Sequence, residues 1–123
     1  MVEKALSNYN FGDCEIRSIS FSDDCATIRI FDPTESRFIE IEFQKLYFLR
    51  FETSHWQNVI DSIVLFDSIL SLDKSPVTGI FLYSLPDSMP DDARAAYVRP
   101  ITGGECLILF QDLECRYGKE NCN

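Results

Sequence analysis

The sequence predicts a mainly β domain, with α+β as the alternative: an antiparallel meander forming a single sandwich or partly open barrel, with one or two short helices. Two alternating runs carry that prediction. Ala26, Ile28 and Ile30 alternate with Thr27, Arg29 and Phe31, and Ile39, Ile41 and Phe43 alternate with Glu40 and Glu42. A period of two places one face of a strand in a core and the other toward solvent. Short turn-forming segments separate the runs, and a third run, Glu105 to Tyr117, closes the domain. The 123 residues suit one β-rich domain over 1–123, with a polar tail at 118–123.

A first strand is expected from Cys14 to Phe21. Its apolar members Ile16, Ile19 and Phe21 do not alternate strictly, which implies a bulge or a frayed start. Ser22, Asp23 and Asp24 supply turn chemistry before the second strand, Ala26 to Phe31. Asp32-Pro33-Thr34-Glu35 then places Asp first and Pro second in a type I turn. Arg37 to Phe43 is the third strand, and three strands joined by short turns make a meander. Leu46 to Phe51 is apolar apart from Arg50, with no Gly or Pro before it. It reads as a fourth strand reached by a corner and buried on both faces.

Ser54 to Leu70 carries two patterns. Trp56, Val59, Ile60, Ile63, Val64 and Leu70 fall on one helical stripe that Ser54 would cap. Ile60, Ile63, Val64, Leu65, Phe66 and Ile69 also make a run suited to a strand. The expectation is a helical turn over Trp56 to Ile60, then a strand from Asp61 to Ile69. Asp73 to Gly104 holds four of the five prolines and reads as the least regular third. It is expected to contain a strand from Thr78 to Leu85 and a short helix starting at Pro90, with Asp91 and Asp92 in its first turn. Gly103-Gly104 reads as a turn before the closing run.

Acidic residues number 20 against 11 basic ones, a formal net charge of -9. Phosphate contacts need a basic face, so direct nucleic-acid binding is disfavoured. The surplus serves solubility, or it steers a basic partner. No apolar run reaches the roughly 20 residues of a membrane helix, and the first eight residues lack a signal-peptide pattern. The expected location is therefore cytoplasmic, with no membrane partner. Five cysteines, an odd number without a Cys-x-x-Cys pair, argue against a disulfide framework and a zinc site. They are expected to be free thiols, with Cys14 and Cys25 too far apart along their hairpin to pair and Cys122 exposed in the tail.

The residues that usually do chemistry are not gathered. His55 is the single histidine and stands in no nucleophile or base motif. The carboxylate pairs Asp23/Asp24, Glu40/Glu42 and Asp91/Asp92 fall in a turn, on a strand face and at an expected helix start. Neither a calcium-loop spacing nor a phosphate-cradling glycine loop nor a nucleophile elbow occurs. The expectation is a protein that is not an enzyme and takes no cofactor or metal. Arg17, Arg29, Arg37, Lys45 and Arg50 interleave with strand aromatics and acids, as cross-strand ion pairs do. Phe31, Phe38 and Phe51 point away from the isoleucine face; they are core if that side is covered and a partner surface if it is open.

Phe11-Gly12-Asp13-Cys14-Glu15-Ile16, then Ile19, Leu49-Arg50-Phe51-Glu52, Gln57-Asn58-Val59-Ile60 and Gly103-Gly104-Glu105-Cys106-Leu107-Ile108 resemble, in kind and order, the immunity protein 50 family and related uncharacterised small bacterial β-rich domains. Gly12 stands where a histidine is common in that group, and Asp73 to Pro100 has no clear counterpart. The resemblance implies a cytoplasmic single-domain protein that blocks a toxin, often a nuclease, and it implies no catalytic residues. The expected function is thus toxin neutralisation through an acidic surface that meets a basic protein. Glu40, Glu42, Asp87, Asp91, Asp92 and Phe38 are the expected contacts. The alternative is a structural or regulatory β domain acting as a homodimer. A hydrolase built on His55 and a carboxylate has no motif behind it.

Overall fold

In a computed structural model of the chain, the described residues are 9–51, 58–67 and 92–118. They form eight antiparallel strands in one sheet: β1 Glu15–Ser22, β2 Cys25–Asp32, β3 Arg37–Gln44, β4 Phe48–Phe51, β5 Val59–Phe66, β6 Arg94–Thr102, β7 Cys106–Phe110 and β8 Asp112–Tyr117. The order across the sheet is β4-β7-β6-β5-β1-β2-β3-β8. The β class stands, and no helix occurs among the described residues.

β1, β2 and β3 are the expected meander. Asp23, at φ 53°, helps close the first hairpin, in which Ser22 faces Cys25. The expected bulge in β1 is a register shift between Ile16 and Ser18. The second turn is held by the Asp32 carboxylate, which accepts the amides of Thr34 (3.0 Å) and Glu35 (3.3 Å). Alternation then buries Ala26, Ile28, Ile30, Ile39, Ile41 and Phe43 on one face. Each large side chain so buried contributes about 1.5–3 kcal/mol.

Two connections set the course of the sheet. β1 and β5 share one register pair, Glu15 with Val59, reinforced by the bonds Ile16 N to Asn58 O (2.9 Å), Ile60 N to Cys14 O (2.7 Å) and Asp13 N to Ile60 O (3.0 Å). β7 and β8 stand near opposite ends of the strand order, yet only Gln111 separates them in the chain. The sheet therefore folds over so that its far ends approach, without closing into a barrel. Phe43 and Phe110 meet edge to face at 4.9 Å inside the fold, where Ile28, Ile39 and Ile41 pack with Ile60, Val98 and Ile108. A second cluster, Ala95, Tyr97, Leu107 and Leu109 with Tyr47, Phe48 and Phe66, lies on the other face of β6 and β7.

Four expectations change. The Leu46 to Phe51 run is not buried on both faces: β4 lies at the end of the strand order, with Phe48, Leu49 and Phe51 half-buried and Arg50 exposed. It pairs with β7 rather than β3, because Lys45 at φ 52° and the bond from Leu46 N to Asp24 O (2.7 Å) turn the chain out of the meander. β7 is the strand buried at every position. Second, Val59 and Ile60 belong to β5 and not to a helical turn, since Ile60 is bonded across to Cys14 and Asp13; Trp56 lies outside the described residues.

Third, the stretch read as least regular contains β6, the longest strand among the described residues. Pro100 is tolerated because it faces Ile60 where the β5–β6 register slips, a place that needs no regular ladder bond. A helix begun at Pro90 would have no room: Asp92 is in a turn and Arg94 is already in β6. Pro90, Asp91 and the expected strand from Thr78 to Leu85 lie outside the described residues, as do His55, the end of the expected strand at Ile69, and tail residues 119–123. Fourth, the closing run is two strands that break at Gln111 and take different partners, β7 with β4 and β6, β8 with β3.

The glycine turn between β6 and β7 is as expected. Gly103 sits at φ +101°, and a Cβ there would lie 2.2 Å from Asn58 Oδ1. Cys14, Cys25, Cys106 and Cys115 are all free. Burial pushes the Cys14 and Cys106 thiols up to about 12, with Asp32 adding to the effect at Cys14.

Candidate functional site

The outer face of β1-β2-β3-β8 is built from the residues that alternate with the core. Phe31 and Phe38 face each other across β2 and β3 with rings 5.1 Å apart. Arg17 lies over Phe31 at 4.8 Å, and Arg29 lies over Phe38 at 3.7 Å, close enough for cation–π attraction. Both phenylalanines are half-buried by these guanidiniums, whereas Phe51 packs against the main core. The open question of core against surface is thus answered differently for the three residues.

Next along β3 come the acids. Glu40 lies between Arg29 (3.7 Å) and Arg116 (3.5 Å), and Arg116 also reaches Glu42 (3.2 Å) and Glu114 (3.6 Å). Arg29–Glu40 is one of the expected cross-strand ion pairs, set by the β2–β3 register; the Arg116 pairs were not expected, and those with Glu40 and Glu42 follow from the β3–β8 register. Being exposed, each is worth about 0–1 kcal/mol. A groove of about 340 Å³ runs beside them, lined by Arg29, Phe38, Glu40, Arg116, Tyr117 and Gly118.

A second group of acids meets at one end of the sheet. The Asp23-Asp24 turn abuts the β3–β4 corner through the Leu46 N to Asp24 O bond. Asp92 accepts from Gln111 Nε2 (2.6 Å) and from the Tyr47 hydroxyl (3.3 Å), and Asp112 faces Gln44. Partial burial and the charges of Asp92 and Asp112 raise the Tyr47 pKa. Among the described residues no cation stands within ion-pair distance of Asp23, Asp24 or Asp112.

At the opposite end a cleft of about 280 Å³ is lined by Tyr9, Asn10, Gly12, Asp32, Thr34, Glu35 and Arg37. Asp32, 4% exposed, is the buried charged side chain there. The Tyr9 hydroxyl donates to it, and Arg37 Nη2 donates to the Tyr9 oxygen (3.2 Å). Burial alone would raise the Asp32 pKa, but the bonds from Tyr9, Glu35 N and Thr34 N, together with Arg37, outweigh it and hold the pKa below its ordinary value. Burial and the Asp32 carboxylate push Tyr9 up to about 12. A carboxylate held ionised and a phenol held protonated make a lock, not an acid–base pair poised near neutrality.

Of the expected contacts, Phe38, Glu40 and Glu42 stand side by side on the outer face of β3. Asp92 belongs to the acidic end, and Asp87 and Asp91 lie outside the described residues. Sequence reasoning did not single out Arg116 or the Tyr9–Asp32–Arg37 cluster. The alternation of Glu114 and Arg116 in β8 was a signal for the first; the second joins residues far apart in the chain and left none. No protein-family model, no curated protein and no solved structure matches this chain.

Proposed function

We propose that this chain is a non-enzymatic binding protein, an immunity-type inhibitor that neutralises a bacterial toxin in the cytoplasm by laying an acidic surface on a basic partner. The observation that carries the reading is the row Phe38, Glu40 and Glu42 on the open face of β3, with Arg29 stacked on the aromatic ring. Aromatic and arginine side chains held rigidly beside charge are what binding hot spots are made of. Glu40, Glu42 and Glu114 share the guanidinium of Arg116, so this patch keeps a surplus of negative charge, and the acidic end adds to it. Such a field speeds encounter with a basic protein. A nuclease toxin is the natural complement, because it must carry a basic face to hold phosphates.

The test is co-purification of the chain with the product of the adjacent upstream gene, followed by a growth assay in cells expressing that product. Protection by the native chain, lost in a folded Glu40→Lys/Glu42→Lys variant, supports the reading. A neighbouring gene without a toxin domain, together with no captured basic protein, overturns it.

A further inference from the structure

We propose that β8 is the docking edge for a second copy of this chain, paired antiparallel about a two-fold axis with Cys115 opposite Cys115. β8 ends the strand order, so among the described residues no strand lies on its outer side. The register with β3 tells which of its backbone groups are unused. Gly118 N bonds to Phe38 O at 2.8 Å, and these residues continue the β3–β8 register. In an antiparallel pair, hydrogen-bonded and non-bonded positions alternate. Gly118, Arg116, Glu114 and Asp112 therefore turn their N–H and C=O groups toward β3. Leu113, Cys115 and Tyr117 turn theirs to the open edge. A second strand must present its own outward positions to these, which restricts the pairing to registers that join odd-numbered residues.

Charge selects among those registers. Sliding the copies so that Leu113 faces Cys115 sets Asp112 against Arg116 but puts Glu114 against Glu114 at the centre. Sliding them so that Cys115 faces Tyr117 puts Arg116 against Arg116. Only the register centred on Cys115 sets Glu114 of each copy against Arg116 of the other, and opposite charges directly across a strand pair attract while like charges repel. In that register Leu113 faces Tyr117 of the second copy, covering a ring that is 40% exposed in the single chain. Each facing pair exchanges two backbone hydrogen bonds. An edge protected from association carries charges of one sign or an inward charge; this one is complementary to itself. The interface is isologous, as a closed two-fold dimer requires. The inference does not depend on the toxin reading.

The test is the mass of the full chain in solution, measured by sedimentation across protein concentration. The expected result is a concentration-dependent dimer that weakens as salt rises. Glu114→Arg and Arg116→Glu, each alone, are expected to raise the dissociation constant about tenfold or more, because each sets like charges face to face. Glu114→Arg/Arg116→Glu restores the complement and is expected to restore the dimer. Cys115→Pro is the second probe: its N–H points away from β3, so the β3 ladder survives while the central intermolecular bonds are lost. In a Cys25→Ser/Cys122→Ser background, mild oxidation is expected to join two copies through Cys115, since facing Cα atoms about 5.5 Å apart lie in disulfide range. A native chain that stays monomeric at every concentration overturns the proposal, as does a dimer that both single swaps and Cys115→Pro leave intact.

Discussion

The Tyr9 hydroxyl donates to the Asp32 carboxylate, which ties the segment before β1 to the turn between β2 and β3. The same carboxylate caps that turn through Thr34 and Glu35, and Arg37 lies over the Tyr9 ring at 5.4 Å and the Tyr117 ring at 4.8 Å. The buried carboxylate thus ties the segment before β1 to the β2–β3 turn, and Arg37 extends the cluster to Tyr117 of β8. Tyr9→Phe removes a donor and leaves the carboxylate short of a partner, a loss of about 1–3 kcal/mol. Urea unfolding followed by fluorescence is expected to show a lower midpoint with an unchanged slope.

The same contact gives an acid limb. The folded pKa of Asp32 lies below its unfolded value, so the folded state favours the ionised form. That stabilisation is fully present above the unfolded value, near pH 4, and is lost as pH falls through the folded pKa. Stability of the native chain is expected to decline below pH 4 more steeply than that of Asp32→Asn, with midpoints in urea measured at each pH. Equal slopes for the two chains contradict the assignment.

The alkaline limb has the opposite sign. Burial with Asp32 raises Tyr9 to about 12, and burial with Cys115 raises Tyr117 to about 12. Groups whose folded pKa is raised stabilise the fold below the unfolded pKa, about 10 for tyrosine, and that contribution is lost as pH climbs to the folded value. Absorbance titration of phenolate is expected to show these tyrosines ionising late in the folded chain, and Tyr9→Phe removes one late step.

Cysteine reactivity is expected to divide by position. Cys14 and Cys106 are 0% exposed with thiols raised to about 12, so little thiolate forms at neutral pH. Cys25 is only half-buried. Thiol labelling of the native chain, read by mass spectrometry on peptides, is expected to mark Cys25 and to spare Cys14 and Cys106 until denaturant is added.

Gly103→Ala tests the β6–β7 turn. It forces a side chain into φ +101° and into Asn58 Oδ1, which also accepts from Gly104 N at 3.3 Å. The loss is expected to exceed about 1 kcal/mol. Adding Asn58→Gly removes the clash with the Asn58 side chain but neither the 3.0 Å approach to the residue 58 Cα nor the backbone strain, so the thermal midpoint of the double variant is expected to stay below that of the native chain.

Much of the first half of the fold is legible residue by residue. Ile28 and Ile30 alternate with Thr27, Arg29 and Phe31, Ile39 and Ile41 alternate with Phe38, Glu40 and Glu42, and the Asp23-Asp24 and Asp32-Pro33 turns punctuate them. Arg29, Glu40 and Glu42 were also legible as an ion-paired face, because cross-strand partners follow once a hairpin register is known. β6 was hidden because Pro100 reads as a strand breaker, and only its place opposite a register slip makes it harmless. β4 misled because an apolar run promises burial, while burial is decided by neighbours, and among the described residues β4 pairs with β7 alone.

By itself, then, the sequence determined the β class, the meander of β1 to β3, an irregularity in β1, the four free cysteines of the described residues and the surplus of acid. These rest on periods of two and on turn chemistry, which are local. Tertiary structure alone decided that β8 pairs with β3, that Phe31 and Phe38 lie under arginines while Phe51 joins the core, and that Tyr9 finds Asp32. Each of those depends on which distant strands come to lie side by side, and a pairing between strands far apart in the chain leaves no periodic trace in either one.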